Sequence, residues 1–300
     1  MKRDFSAVMN WWLPVVLAAL VVAPACGRDR ERAAVPVASP SFTVNRSKAA
    51  LGSPVEATYR FVVAQNAPAI DQNYRVMVHF LDADEELMWA DDHEPAVPTT
   101  QWKPGQTIEY TRTMFVPIYP YIGDATVQVG LYSLKDQRRL PLVGTDAGQR
   151  AYTVGTLQLL PQSENVFLIY KDGWHRVEVA PDDPIMEWQW TKKEATISFR
   201  NPKRDSLFYL ELDGRTEVFS EPQHVTVRVG DQAVDTFPIT SNATSIQKIP
   251  LTAGQLGPQD MVDLKIEVDK TFVPALLPAS TNRDSRELGV RVFHTFVEPR

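Results

Sequence analysis

The sequence predicts an all-β chain built as two β-sandwich domains, and three observations carry the prediction. Apolar residues recur at every second position in nearly every segment from Phe42 onward, turn-forming clusters separate these segments, and almost no stretch has a helical period. A composition of 44% hydrophobic residues over 300 positions is enough to fill two ordinary cores.

In chain order, the first element is an address. Lys2 and Arg3 give a positive start, Trp11 to Val22 an apolar run too short for a comfortable membrane span, and Ala25 a small residue at a cleavage position. Residues 1–25 therefore read as a signal peptide. Cys26, the only cysteine, follows at once. The stretch Ala23-Pro24-Ala25-Cys26 resembles the lipobox of bacterial lipoproteins. The resemblance implies a diacylglycerol on the Cys26 thiol, which would open the mature chain and hold it to a membrane. A secreted chain would otherwise carry an unexplained free thiol. The competing readings are a secretory peptide cleaved after Ala25 and an uncleaved anchor from Phe5 to Ala25. Gly27 stands where enteric bacteria use aspartate to retain lipoproteins in the inner membrane, so the resemblance leans toward the outer membrane of the cell envelope.

Residues 26–40 are charged and then rich in Ala, Pro and Val without a sustained period, and read as a tether. The first domain is expected over 41–161. Val55, Ala57, Tyr59, Phe61 and Val63 alternate with polar or small neighbours, as do Tyr74, Val76, Val78 and Phe80, and then Val127, Val129 and Leu131. Turns are expected at Asp82-Ala83-Asp84, Lys103-Pro104-Gly105 and Ile122-Gly123-Asp124. The polar stretch Pro161-Gln162-Ser163-Glu164 marks the boundary between the domains.

The second domain, 164–300, is expected to be a jelly-roll-like sandwich. Its strand candidates are 166–170, 185–190, 195–199, 207–212, the alternating Val225, Val227 and Val229, the run Val262, Leu264, Ile266 and Val268, and finally 288–297. Thr252 and Gln255 have capping-box spacing and Gly257-Pro258 ends the run, so one helical turn is expected there.

Two further resemblances sit on these domains. The stretch V-H-F-L-D-A-D-E-E-L at 78–87, with H-E-P-A-V-P-T-T-Q-W-K-P-G at 93–105 and V-G-L-Y at 129–132, is similar to Ig-like accessory domains of bacterial envelope glycosyltransferases. The ending D-S-R-E-L-G-V-R-V at 284–292 resembles the closing strand of carbohydrate-binding-like sandwiches from the same surroundings. Neither brings a catalytic or membrane-embedded part. The resemblance implies non-catalytic sandwiches in the cell envelope, near glycan.

Charge and cysteine usage exclude several classes. Without the signal peptide the chain has 29 basic against 36 acidic residues, which disfavours nucleic acid as a partner. With no cysteine after Cys26, disulfides, thiol catalysis and cysteine metal sites are excluded from both domains.

The candidate sites are few. Asp91-Asp92-His93-Glu94 has a metal-like composition, but consecutive residues converge on one ion only around a sharp bend, so a solvated loop is expected and no metal. The histidines at 79, 93, 175, 224 and 294 show no metal-motif spacing, and His79 and His294 fall within strand patterns. Tyr170, Trp174, Trp188 and Trp190 are close in sequence, and two residues of separation put Trp188 and Trp190 on one side of a strand. Exposed, that pair would be a platform for sugar rings, with Trp174 beside it and His175, Glu187 or Gln189 for hydroxyls; buried, it is core. Asp284, Arg286 and Glu287 are expected to form a structural ion pair before the last strand, and Asp269-Lys270 is similar. The chain lacks G-x-S-x-G, H-E-x-x-H and a glycine-rich phosphate loop. Glu187 and Glu211 are the acids a sandwich glycoside hydrolase would use, although nothing in the sequence singles them out.

The expected function is that of a membrane-anchored envelope lipoprotein, a non-catalytic interaction or scaffold protein with an envelope protein as partner and no cofactor. The alternatives are a glycan-binding module at Trp174, His175, Trp188 and Trp190, and a hydrolase. Cys26→Ser should abolish incorporation of labelled palmitate and release the protein from membranes in fractionation; undiminished labelling would remove the lipid anchor.

Overall fold

The computed structural model describes residues 35–181, 183–278 and 280–300. The expected signal peptide, the lipidation position Cys26 and the first part of the expected tether lie outside them. Val35–Arg300 makes one compact unit. Its fold is all-β and of the sandwich type, as the alternation predicts. Among the described residues no helix is long and apolar enough to cross a membrane.

Eight strands build the first sandwich: β1 (Ala38–Val44), β2 (Lys48–Ala50), β3 (Pro54–Val63), β4 (Arg75–Leu81), β5 (Leu87–Ala90), β6 (Thr107–Phe115), β7 (Gly123–Tyr132) and β8 (Tyr152–Leu160). A three-stranded sheet in the order β1-β3-β6 packs on a five-stranded sheet in the order β2-β8-β7-β4-β5. In β3 the predicted residues Val55, Ala57, Tyr59, Phe61 and Val63 are buried while Arg60 between them is exposed, the pattern of a strand with one face on the core. Val76, Val78 and Phe80 of β4 and Val127, Val129 and Leu131 of β7 meet them from the opposite sheet.

Two boundaries differ from expectation. β1 begins inside the expected tether, because Val37 and Ala38 are buried and the strand pairs along β3 from Ala38 opposite Val63. Pro40 is tolerated because β1 is an edge strand with no second neighbour needing its missing N–H. Gly123, expected in a turn, opens β7 at φ 142°.

The second sandwich follows a single 3-10 turn at Gln162–Glu164. Its strands are β9 (Leu168–Tyr170), β10 (Glu178–Ala180), β11 (Asp183–Trp190), β12 (Glu194–Arg200), β13 (Ser206–Asp213), β14 (Gln223–Val229), β15 (Gln232–Ile239), β16 (Ser245–Leu251), β17 (Met261–Val268) and β18 (Arg291–Pro299). They form two five-stranded sheets, β10-β11-β18-β13-β16 and β15-β14-β17-β12-β9, around Ile197, Phe199, Phe208, Leu210, Val225, Val227, Leu264 and Ile266. The predicted helical turn is α1 (Ala253–Leu256): the Thr252 hydroxyl accepts from Gln255 N at 3.2 Å, and the Gln255 side chain accepts from Thr252 N at 2.8 Å. Strands β10, β15 and β16 escape prediction because they are sheet edges, where few apolar side chains are needed. The last strand starts later than expected, since Leu288 reaches only a single bridge with Phe272.

A third, smaller apolar cluster joins the two sandwiches. Phe115 at the end of β6 packs with Leu207, Tyr209 and Phe296 and stacks on the His294 ring at 4.8 Å. Polar contacts frame it. Glu298 accepts from the Tyr209 hydroxyl at 2.9 Å and pairs with Arg46, Lys248 pairs with Glu56 at 2.5 Å, and the Asn165 side chain donates to Leu51 O at 2.9 Å. Burial, helped by Glu298, pushes the Tyr209 phenol up to about 12.

Gly173 fixes the approach of β12 to the segment before Trp174. It has φ +85°, and a Cβ there would lie 1.9 Å from Glu194 O. Gly173→Ala should cost at least about 2 kcal/mol, because strain and backbone overlap outweigh the unfolded-state gain of up to about 1 kcal/mol that alanine brings at compatible sites. Gly254, whose nearest neighbour would be 3.9 Å away, should accept alanine without loss. Denaturant midpoints for the two variants check this; equal midpoints would contradict it.

Candidate binding cleft on the second sandwich

The site is built on the face of the β10-β11-β18-β13-β16 sheet that turns away from the second core. In β13, Phe208, Leu210 and Leu212 point between the sheets, so Tyr209, Glu211 and Asp213 point outward. Across the ladder Tyr209 is opposite Phe296, Glu211 opposite His294, and Asp213 opposite Arg291, which in turn is opposite Trp190. Directly opposed residues share a face. Strict alternation would send Arg291, three residues before His294, into the core. A bulge at the Glu211/Leu212 step takes up one extra residue of β18 and returns Arg291 to the outer face.

Arg291 is anchored there by Asp213, a buried carboxylate that takes Nε at 2.8 Å on Oδ1 and Nη2 on Oδ2. Its guanidinium lies 5.0 Å from the Trp188 ring centroid, 5.8 Å from that of Trp190 and 5.2 Å from that of Phe293, within cation–π range. The outer face opens at this point into a cleft of about 330 Å³ whose lining includes Trp188, Trp190, Phe272, Arg215, Asp284 and Arg286.

The two tryptophans differ. Trp190 is only 5% exposed, packed edge-on against Phe272 at 5.8 Å, with Arg215 over its ring at 5.8 Å. Trp188 is half-buried, and among the described residues its shielded Nε1 has no acceptor. An open double platform is therefore not what the fold makes. Trp190 closes the floor, and Trp188 keeps the available indole surface. Both lie on the outer face, so neither belongs to the inter-sheet core.

The opposite wall is the expected ion pair. Arg286 grips Asp284 through Nε at 2.9 Å and Nη2 at 2.7 Å, and its Nη1 reaches Glu178 at 2.7 Å. The Arg286 bond holds the Asp284 carboxyl below the usual carboxylate range, and Asp284 in turn raises Arg286. Glu178 sits opposite Trp188 in the β10–β11 ladder, so this wall is fixed to the indole by backbone pairing. Glu287 faces elsewhere and accepts from the Thr271 hydroxyl at 2.7 Å. Asp269 accepts from His224 N at 2.7 Å, and Lys270 donates to the Glu221 and Pro222 carbonyls, which makes that pair a turn fixture.

The other residues expected with the tryptophan pair are not brought to it. Trp174 packs from the side on the second core, meets Tyr170 edge-on at 4.7 Å, and donates Nε1 to Thr196 O at 2.9 Å. The backbone at Trp174 pairs across Thr191, which turns its ring from the cleft. His175 Nε2 bonds the Glu287 carbonyl at 2.7 Å, tying two loops, and Gln189 donates to His175 O at 2.9 Å. The hydrolase acids do not converge. Glu187 alternates with Trp188 and so points to the other side of β11, whereas Glu211 holds His294 Nδ1 at 2.6 Å beneath Phe115. Neither lines the cleft.

Of the solvated loop expected at Asp91 to Glu94, Glu94 is exposed, whereas Asp91 and His93 are largely buried. His93 is 5% exposed and bridges the sheets: Nδ1–H donates to Asp91 O at 2.6 Å, and Nε2 accepts from Tyr110 Oη at 2.7 Å. Asp91 takes the Tyr59 hydroxyl at 2.9 Å and Arg112 Nε and Nη2 at 3.1 and 3.0 Å. Burial and the Asp91 charge raise the Tyr59 phenol, and burial lowers the His93 imidazole. No group of three or more His, Cys, Asp or Glu able to hold a metal occurs among the described residues. The sequence alone does not single out Arg215, Arg291, Phe272 and Glu178 as site residues. Arg291 falls within the strand predicted over 288–297, but nothing in the sequence signals that it, Arg215, Phe272 and Glu178 meet, because the bulge and the loops that gather them leave no periodic trace.

No protein-family model matches this chain, and no curated protein does. Among solved structures, it is similar to a GH115 4-O-methyl-α-glucuronidase with specificity for decorated arabinogalactans, at 16% identity and a TM-score of 0.32, over 49% of this chain and 19% of that one. It thus spans about a fifth of that enzyme. It is also similar to the CBM22-1–CBM22-2 tandem domain of Paenibacillus barcinonensis Xyn10C, at 10% identity and a TM-score of 0.26, over 83% of this chain and 79% of that one. A third is Spo0M, a sporulation control protein from Bacillus subtilis, at 11% identity and 0.26, over 73% and 91%. At such scores none of these likenesses bears on function.

The buried His93 gives a pH dependence with a definite sign. Its folded pKa lies below the ordinary 6.5, so the unfolded chain takes up the proton first as pH falls. The stability contributed by neutral His93 is complete above pH 6.5 and declines as pH drops below it. Thermal unfolding of the wild type and of His93→Gln between pH 8 and 5 checks this. The variant should be less stable at pH 8 and should lose less than the wild type on acidification; parallel curves would contradict the assignment.

Proposed function

We propose that this chain is a non-catalytic, lipid-anchored protein of the cell envelope that holds a saccharide in the cleft beside Trp188. The observation that supports the reading is the half-buried Trp188 indole in a cleft whose walls carry Arg215, Asp284 and Arg286. Sugar rings offer an apolar face to an indole and hydroxyls to fixed charges, and a cleft with both kinds of surface suits them. Arg286 and Arg291 are already oriented by Glu178 and Asp213, so these two side chains would lose little freedom on binding. The resemblance around Cys26 supports the lipid anchor, and with such an anchor the cleft would lie outside the membrane.

A protein-binding role has its own support. Phe167 is 80% exposed next to the short edge strand β9, with Ile169 at 44% and Met261 at 47% exposure nearby around one cavity. An edge strand beside exposed apolar side chains is a surface to which a partner chain can add.

A glycan array probed with the full mature chain separates these readings. The wild type should retain saccharides, and Trp188→Ala, checked for folding by circular dichroism, should reduce the signal at least about tenfold, the effect of losing one stacking contact together with its apolar burial. Trp188→Phe should keep part of it. Absence of any saccharide signal from the folded wild type would defeat the glycan reading and leave the β9 edge as the functional surface.

A further inference from the structure

Resting on the saccharide reading, we infer that the cleft selects an acidic sugar, one whose ring bears a carboxylate, and that Arg215 captures this group. Three guanidinium groups line the cleft and two of them are engaged. Arg291 is held by Asp213, and Arg286 by Asp284 and Glu178. Arg215 is different. It is half-buried, its guanidinium is propped on the Trp190 ring at 5.8 Å, and no carboxylate among the described residues pairs with it. The nearby Glu217, also in the lining, receives the Asn242 side chain at 2.7 Å instead.

A half-buried guanidinium facing a cleft has a planar set of N–H donors that match a carboxylate in two-point fashion. The π face of Trp190 fixes its position, so the donors are presented without a protein acid to quench them. The remaining polarity of the cleft agrees. The far wall carries two carboxylates, Glu178 and Asp284, against one guanidinium, Arg286, and therefore accepts hydroxyl hydrogens and repels a second anion. A carboxylated sugar satisfies both ends. Its carboxylate meets Arg215, its hydroxyls donate to the Asp284 and Glu178 side, and its apolar face covers Trp188. A neutral sugar leaves Arg215 unmatched, and a sugar carrying an anion at both ends is opposed by the far wall.

The test is a panel of hexuronate oligosaccharides, each offered as the free acid and as its methyl ester, beside neutral oligosaccharides, with the full mature chain. Esterification removes the charge and keeps the ring. The free acids should bind at least about tenfold more tightly than their esters, the measure of one charge-assisted two-point contact. Arg215→Gln should abolish the difference between acids and esters, and Arg215→Lys should recover part of it. Equal binding of acid and ester, preference for neutral sugars, or an Arg215→Gln variant that weakens both forms alike would overturn the acidic class while leaving the saccharide reading standing. Failure of the folded wild type to bind any member, acid, ester or neutral, would defeat the saccharide reading itself.

Discussion

One strand of the second sandwich, β13, has no free face, and both the junction and the cleft are arranged around that constraint. Every residue of β13 except Glu211 is buried, although the strand alternates as any other does. Its inward residues fill the second core. Its outward residues meet the first sandwich at Leu207 and Tyr209, and at the other end Asp213 anchors the arginine of the cleft. The same ladder therefore sets the junction and the site, and neither can move along the strand without the other. The extra residue in β18 is what allows both, since it keeps His294 at the junction and Arg291 in the cleft on one face.

The first sandwich solves a different problem with similar means. Its core is apolar and extensive, and with Cys26 as the only cysteine no disulfide can staple it. A largely buried polar network links its two sheets beside that core. Asp91 and His93, on the segment after β5, reach Tyr59 of β3 and Tyr110 and Arg112 of β6, and each named acceptor has a donor. Such a network rigidifies when complete and is costly when any member is lost, because the low local dielectric strengthens every bond and every vacancy alike. The same sandwich then offers Phe115, Arg46 and Glu56 to its neighbour, so its order is passed across the junction.

The all-β architecture was legible because burial on one face writes a period of two, as in β3, β4 and β17. Thr252 and Gln255 gave away the single helical turn because a capping box is local chemistry. Edge strands such as β15 were not legible, since a strand with little to bury has no apolar rhythm. The site was half legible. Trp188 and Trp190 share a face because their spacing requires it, yet the sequence has no means of showing that this face looks away from the core. Trp174 and His175 are near neighbours in sequence and were sent elsewhere by the bridge to Thr191. The Asp91–His93 cluster misled in the opposite sense. Consecutive acidic residues suggest a solvated loop, but Tyr59 and Arg112, distant in sequence, supply the partners that let Asp91 be largely buried.

A crystal structure of the chain grown with the acidic oligosaccharide it binds most tightly decides whether the Trp188 cleft is the saccharide site. The expected result is a sugar ring lying against Trp188 with its carboxylate within hydrogen-bond distance of Arg215. A ligand seated on the first sandwich or along the β9 edge, with the Trp188 cleft left to water, would contradict it.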